Sequence, residues 1–268
     1  MYRWRQGLEM GLSEFKAEYA AVFHPKEYLA DYSQLDEEVL FTIRFMVQAL
    51  RGLPSDLLTL EFGGGPVLYS VATQVPYARE IHFCDFLPAN LAEVRCWLNN
   101  EPDAFDWTPY FKQVLEEEGM PANSTTIGLR AAAIRRKVNR LSMCDALVEA
   151  PLGREVARYD LVVANYCTDV AAATVPEWMR IMRNIGVLVE SGGWLLVSVT
   201  TGATTNTFVT SPDQRSFPCV DLGDEDFCHG FLIAGCDPDT LRFDKLPVPT
   251  GREYSGLTTG VARKSGRP

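Results

Sequence analysis

The stretch Leu57-Leu-Thr-Leu-Glu-Phe-Gly-Gly-Gly-Pro66 constrains the fold of this chain more than any other. An apolar run reaches an acid, Glu61, and then breaks into three glycines. Twenty-two residues beyond Gly63, a second strand-like run, Glu80-Ile-His-Phe-Cys-Asp85, also ends in an acid. In an open α/β sheet, ligands bind outside the carboxyl ends of the strands, and glycines let the backbone approach them closely. An acid ending the second strand can accept hydrogen bonds from a ribose diol. The pattern predicts an α/β fold with a nucleoside site at Gly63, Gly64, Gly65 and Asp85.

The kind of nucleoside follows from what the turn lacks. A dinucleotide fingerprint needs a third glycine for close helix–strand packing under a pyrophosphate. Leu68 stands at that position, and Pro66 has no N–H to offer a phosphate. The sequence contains no G-x-x-x-x-G-K-[ST] loop, which disfavours a nucleoside triphosphate. A glycine turn and a ribose acid without phosphate machinery fit S-adenosylmethionine better than NAD or ATP.

The length of 268 residues suits one α/β domain spanning 1–268. A net charge of −10 argues against nucleic-acid and anionic-membrane partners, which require clustered positive charge. The short basic runs Arg135-Arg136-Lys137 and Arg263-Lys264 are expected on solvated faces. Seven cysteines without a C-x-x-C pair, mostly inside apolar runs, predict buried free thiols in a reducing, cytoplasmic setting. The N-terminus lacks a signal-peptide core, and no segment has the length of a membrane span. His24, His82 and His229 lie far apart, so no metal site is expected.

Along the chain, Ser33-Gln-Leu-Asp36 resembles a capping box opening a helix to about Leu50, with Val39, Leu40, Ile43, Met46 and Leu50 as its core stripe. Strands are predicted at about 57–62, 80–85, 159–165 and 193–200. Helices are predicted from Val67 to about Val75, over Pro88–Asn99 and over Val175–Val189, the last stopped by Ser191-Gly192-Gly193. Residues 100–141 are longer than a minimal crossover and form an insertion, with a loop at Met120–Thr126 and a helix near 127–141. Leu241–Leu246 and Leu257–Arg263 read as a hairpin, giving a mainly parallel sheet with an antiparallel C-terminal end.

Ordered blocks across the chain carry a more specific signal. They are Phe23-His-Pro-Lys-Glu-Tyr-Leu-Ala-Asp-Tyr32, the Gly63-Gly-Gly-Pro turn with Tyr69, Cys84-Asp-Phe86 with Asn90, and Trp97-Leu. The series continues with Glu101-Pro-Asp-Ala-Phe-Asp-Trp-Thr-Pro109, Cys144-Asp145 and Gly260-Val-Ala-Arg-Lys264. From about Phe23 to Lys264 the chain resembles the nicotinamide, phenylethanolamine and indolethylamine N-methyltransferases, small-molecule enzymes that use S-adenosylmethionine. The resemblance implies a Rossmann-like methyltransferase fold, a helical lid over residues 1–50 and a monomer. It places Tyr28 on the lid over the methionine part of the cofactor, and Gly63, Gly64, Gly65 and Tyr69 on the floor. Asp85 falls on the ribose, Phe86 and Asn90 beside the cofactor, Asp145 and Ala146 around the adenine, and Asn165 at the end of the fourth strand. Aromatic faces near the positive sulfonium agree with these roles. Each residue also has a plainer reading: Tyr28 and Tyr32 as helix anchors, Asp145 as a surface cap, Asp169 as an N-cap, and Cys167 as a buried thiol.

The acceptor half departs from the family pattern. Asp169 matches a carboxylate that positions an amine acceptor, but Val199-Thr-Thr-Gly-Ala-Thr-Thr-Asn206 holds no acid where the family has a second one. Ser33 replaces a second lid tyrosine. Three readings stay open. The first is methylation of a small molecule, chiefly at nitrogen, with Tyr166 and Asp169 catalytic and Tyr32, Val170 and Thr201 lining the acceptor. The second is intramolecular cyclisation of S-adenosylmethionine to azetidine-2-carboxylate and methylthioadenosine, with Tyr166 beside the sulfonium. The third is a catalytically silent cofactor-binding protein.

Overall fold

The glycine turn does sit at the carboxyl end of a strand in the middle of a sheet. The computed structural model describes residues 18–30, 32, 34–153, 157–207, 215–249 and 252–266. Its strands are β1 (Leu57–Phe62), β2 (Ala78–Asp85), β3 (Val138–Met143), β4 (Tyr159–Asn165), β5 (Val189–Thr201), β6 (Thr205–Thr207), β7 (Ser216–Pro218), β8 (Arg242–Pro247) and β9 (Gly256–Arg263). Its helices are α1 (Pro25–Ala30), α2 (Glu37–Leu50), α3 (Tyr69–Gln74), α4 (Pro88–Leu98), α5 (Thr108–Glu117), α6 (Ser124–Lys137), α7 (Val175–Gly186) and α8 (Asp224–Ile233), with a further helical stretch at 18–22.

Seven strands form one sheet in the order β3-β2-β1-β4-β5-β9-β8, and β6 pairs with β7 in a small ribbon. The first five run parallel, while β9 is antiparallel to both β5 and β8. The chain runs outward from β1 to β3 and then returns to β4, so the strand order reverses at the β1–β4 boundary, where open sheets bind ligands. The register Glu61↔Phe83 and Glu61↔Val163 levels the ends of β1, β2 and β4. The Gly63–Gly65 turn, Asp85 and the segment after Asn165 therefore converge on one edge.

Helices cover both faces. On α7, Trp178, Ile181, Met182 and Ile185 recur at helical spacing, all fully buried, and pack with Phe227 and Phe231 of α8 against β4 and β5. Burying such a side chain contributes ~1.5–3 kcal/mol each. Met46, Ala49 and Leu50 of α2 cover the other face against Leu161, Val163 and Leu196. Gly230 lies so close under the Trp178 indole that a Cβ there would meet it at 2.2 Å.

Several expectations need correction. β3 lies where the sequence predicts the end of a helix, because Val-Asn-Arg-Leu-Ser-Met has no apolar run and only Val138 is buried. The preceding helix α6 starts earlier than expected, at Ser124, where Asn123 and Thr126 form a capping box. α7 stops at Gly186, and Val189 already pairs with Tyr159, so the Ser191-Gly-Gly segment lies inside β5. α8 was not expected at all: its mixed pattern shows little amphipathic periodicity. On α2 the N-cap is Asp36, whose carboxylate accepts from Val39 N at 2.9 Å; Ser33 is outside the described residues.

The basic runs are not simply solvated. Arg135 lies 3.9 Å over the Trp97 ring, and Lys137 Nζ donates to the carbonyls of Val75 (2.9 Å) and Ala78. Lys264 Nζ donates to Gly186 O at 2.9 Å and to Ala234 O, the carbonyl ends of α7 and α8, where a cation is favoured. The seven cysteines are free, with Cys84, Cys144, Cys219 and Cys236 buried.

Candidate active site

The glycine turn is built around a buried acid. Glu61 is 1% exposed and accepts from Ser70 Oγ at 2.6 Å and from Gln74 Nε2, both on α3. Burial pushes its carboxyl up to about 8, against the pull of those two donors. Gln74 Oε1 is buried with no donor. A half-turn of that amide lets a protonated Glu61 donate to its oxygen, so the neutral acid keeps a hydrogen bond to Gln74. Between pH 4.5 and about 8 the folded chain then keeps a proton that the unfolded chain has lost. That raised pKa makes stability fall as pH rises through this window. Glu61→Gln is expected to flatten the dependence, so melting curves at about pH 5 and pH 8 should differ less for the variant than for the wild type. Equal pH slopes in the two proteins would refute a neutral Glu61.

The three glycines differ in their reasons. Gly63 has φ +63°, and a Cβ there would meet Cys167 Cβ and Sγ at 2.7 Å. At Gly64 a Cβ would meet the Phe83 ring at 2.5 Å. Gly65 has φ +60°, and its Cβ position faces open space with no atom within 4 Å. The first two glycines permit packing, and the third leaves room. Cys167 is therefore a packing thiol: its Sγ donates to Phe62 O at 3.3 Å, and burial raises it well above the ordinary thiol range.

Asp85 closes the turn from the neighbouring strand. Its Oδ2 accepts from Gly65 N at 2.8 Å, and its Oδ1 from Leu87 N at 2.8 Å and Asn90 Nδ2 at 2.9 Å. It is 6% exposed, and burial raises its carboxyl from the ordinary range while these donors oppose the rise. Asn90 Oδ1, beside it, is buried with no hydrogen-bond partner. Phe86 follows half-buried. Cys144 N donates to Asp85 O at 3.0 Å, which sets the end of β3 beside the acid. Asp145 and Ala146 come next: Asp145 Oδ1 accepts from Leu147 N at 3.0 Å in a turn, and Ala146 O accepts from Asn184 Nδ2 at 2.9 Å.

The end of β4 is strained. Tyr166 has φ +52°, a left-handed conformation that costs a bulky side chain ~1–3 kcal/mol and concentrates at functional sites. Its N–H donates to Ser198 O at 2.8 Å, and its hydroxyl shares a 2.6 Å hydrogen bond with Thr42 Oγ1 of α2. Asn165, before it, accepts from Ser198 Oγ at 2.7 Å. The kink brings back Asp169, fully buried, whose Oδ2 accepts both from Thr200 N (2.9 Å) and from Thr200 Oγ1 (2.6 Å). Asp169 is thus no N-cap. Its Oδ1 is buried without a partner, and burial raises its carboxyl while Thr200 opposes the rise. Val170 is half-buried beside it. Thr201 points to the other side of β5 from Thr200, and its carbonyl accepts from Ser255 N at 2.9 Å.

A series of aromatic rings links the N-terminal helices to α3. Ring contacts run from Tyr19 to Phe23 (6.0 Å), Tyr28 (5.3 Å), Tyr32 (5.4 Å) and Tyr69 (6.3 Å), and the Tyr28 and Tyr32 hydroxyls are 3.1 Å apart. Trp107 and Tyr110 of the 100–141 segment back Tyr32, and Tyr110 OH donates to Tyr32 O at 2.5 Å. Burial raises the Tyr19 phenol, and the negative charges of Asp85 and Asp169 add to the rise. The sequence reasoning missed Tyr19 and Thr200. The four-residue spacing of Phe15, Tyr19 and Phe23 was a usable signal for the first.

Comparison with known proteins identifies the fold and the family. Human nicotinamide N-methyltransferase is 29% identical over 97% of this chain and 100% of its own length. Rabbit (Oryctolagus cuniculus) indolethylamine N-methyltransferase is 30% identical over 92% of this chain and 95% of its own. The structure of magnesium protoporphyrin IX methyltransferase from Synechocystis PCC 6803, with bound SAM, superposes with a TM-score of 0.57 at 12% identity, covering 94% of this chain and 97% of that one. The Rossmann-like methyltransferase fold is therefore shared. The sequence profile of the NNMT/PNMT/TEMT family matches residues 13–264, and this chain belongs to that family.

Proposed function

We propose that the chain is an S-adenosylmethionine-dependent methyltransferase acting on the nitrogen of a small molecule. The observation that carries it is the pair of acids at the sheet edge, each beside a buried acceptor without a donor: Asn90 Oδ1 next to Asp85, and Oδ1 of Asp169 itself. Unsatisfied buried acceptors cost about 1–3 kcal/mol each, and ligand donors would relieve them. The residues at the turn fit the cofactor. Asp85 can take the ribose hydroxyls, the space beside Gly65 can admit the nucleoside, and Asp145 and Ala146, just after β3, are assigned to the adenine. Tyr28, Tyr69 and the rings around them supply faces for a sulfonium. When bound, the cofactor supplies a methyl group on a positive sulfur. The protein's own part is to align a neutral nitrogen and exclude water. Tyr32, Tyr166, Asp169 and Val170 are assigned to the acceptor side, whereas Thr201 faces away from Asp169 on β5. The bare Asp169 oxygen suits an N–H donor.

No described helix is long and apolar enough to cross a membrane. The free thiols support the reducing, cytoplasmic compartment assigned to this enzyme. The test is incubation with S-adenosylmethionine carrying a labelled methyl group, with and without a panel of small amines. Label on an amine nitrogen, with S-adenosylhomocysteine formed only when the amine is present, is the expected result. Methylthioadenosine formed without any amine would replace this reading with cyclisation. Tight binding with no turnover would replace it with a silent cofactor-binding protein.

A further inference from the structure

Thr200 binds the Asp169 carboxylate twice, and the backbone N–H groups of Asp169 and Val170 on its own loop also favour its ionised form. Thr200 gives both its backbone N–H (2.9 Å) and its hydroxyl (2.6 Å) to the same oxygen, Oδ2, and Oδ1 has no hydrogen-bond partner. Strand pairing produces this arrangement. Asn165 pairs with Ser198, and the Tyr166 N–H still reaches Ser198 O, so Thr200, two residues further on, stands level with the returning loop. The backbone of Asp169 is pinned as well, since its carbonyl accepts from Val220 N at 3.2 Å. Among the described residues, the titratable groups that act on this carboxylate are Tyr166 and Cys167 from its own loop, Cys219 from the segment after β7, and Tyr19 from the helical stretch at 18–22. None of these four can supply a positive charge.

We infer that Thr200 is a positioning residue for the transfer: by holding Oδ2 twice, it fixes the carboxylate and leaves Oδ1 as the open acceptor for an N–H of the incoming nitrogen. The inference rests on the amine-acceptor reading above, and it assigns a role to a threonine in a segment notable in sequence only for lacking an acid. A buried carboxylate is driven toward its neutral form, which would point a proton, not a lone pair, at the substrate. Donation by Thr200 favours the ionised form and selects which oxygen stays bare.

Thr200→Val removes the hydroxyl at nearly constant shape and keeps the backbone donor, and Thr200→Ser restores the hydroxyl. With S-adenosylmethionine saturating, Thr200→Val is expected to lower kcat/KM for the amine about 10- to 100-fold. The acid limb of its pH profile should move up by about one pH unit or more, with cofactor affinity unchanged. Thr200→Ser should return both values toward wild type. A Thr200→Val enzyme with the wild-type acid limb would overturn the inference, whatever its melting temperature. The Asp169 carboxyl can also be titrated directly by carbon-13 NMR in the cofactor-bound protein. If no amine is methylated by the wild type, the function reading fails, and this titration still decides the role of Thr200. A midpoint raised in Thr200→Val and restored in Thr200→Ser supports it, and an unchanged midpoint overturns it.

Discussion

Asp85→Ala is expected to weaken S-adenosylmethionine binding about 100-fold, or about 2.8 kcal/mol. The carboxylate already organises the turn through Gly65 N, Leu87 N and Asn90 Nδ2, and in the complex it would also accept from the ribose. Hydrogen bonds to a charged group contribute ~1.5–3 kcal/mol each, so losing the ribose contacts alone reaches that figure. Isothermal titration calorimetry gives the number, and a melting curve shows whether the turn survives. Asp85→Asn keeps one acceptor oxygen and should lose roughly tenfold. An unchanged affinity in Asp85→Ala would remove the ribose assignment.

Asp169→Asn acts on the other half of the site and should leave cofactor affinity within about threefold while lowering kcat/KM for the amine roughly 100- to 1000-fold. The amide replaces a negative charge with a neutral group at a position where the neighbours named above, among the described residues, include no basic side chain. Its pH dependence has a definite sign. Burial raises the Asp169 carboxyl, so wild-type activity should fall as pH drops through the carboxylate range, earlier than for an exposed aspartate. The variant should lack that limb. Wild-type kcat/KM in Asp169→Asn would show that the acid only braces β5. These two variants separate the halves of the site, one through binding and the other through turnover.

The convergence of the residues we assign to the cofactor was the more legible in sequence because its determinants are local. Glu61, the three glycines and Asp85 lie in two short runs whose spacing is set by one β-α-β unit, and strand ends in such units converge. The acceptor half depends on contacts between distant segments. Thr200 meets Asp169 only through the pairing of β4 with β5, and Tyr19 stacks on Phe23 and meets Phe217 edge-on, the latter far away in sequence. Neither contact leaves a motif. The missing second acid was visible, but its consequence was not: the hydroxyl of Thr200 serves the remaining acid instead.

The sheet follows the same division. Apolar runs such as Leu161–Ala164 announce buried parallel strands, whereas β3, with one buried residue, carries no periodic signal. The strand order, with β9 inserted between β5 and β8, is a tertiary property of a hairpin whose existence alone was predictable. Local pattern likewise misplaced the basic residues. Lys264 looks like a surface charge until α7 and α8 bring two carbonyl ends to it.

A crystal structure with S-adenosylhomocysteine and an amine bound tests the central claim, that the two acids divide the site between cofactor and acceptor. The ribose hydroxyls should lie on the Asp85 carboxylate, and the amine nitrogen within hydrogen-bond distance of Asp169 Oδ1. A nucleoside bound away from Asp85, or an amine held elsewhere with Asp169 Oδ1 still bare, would contradict it.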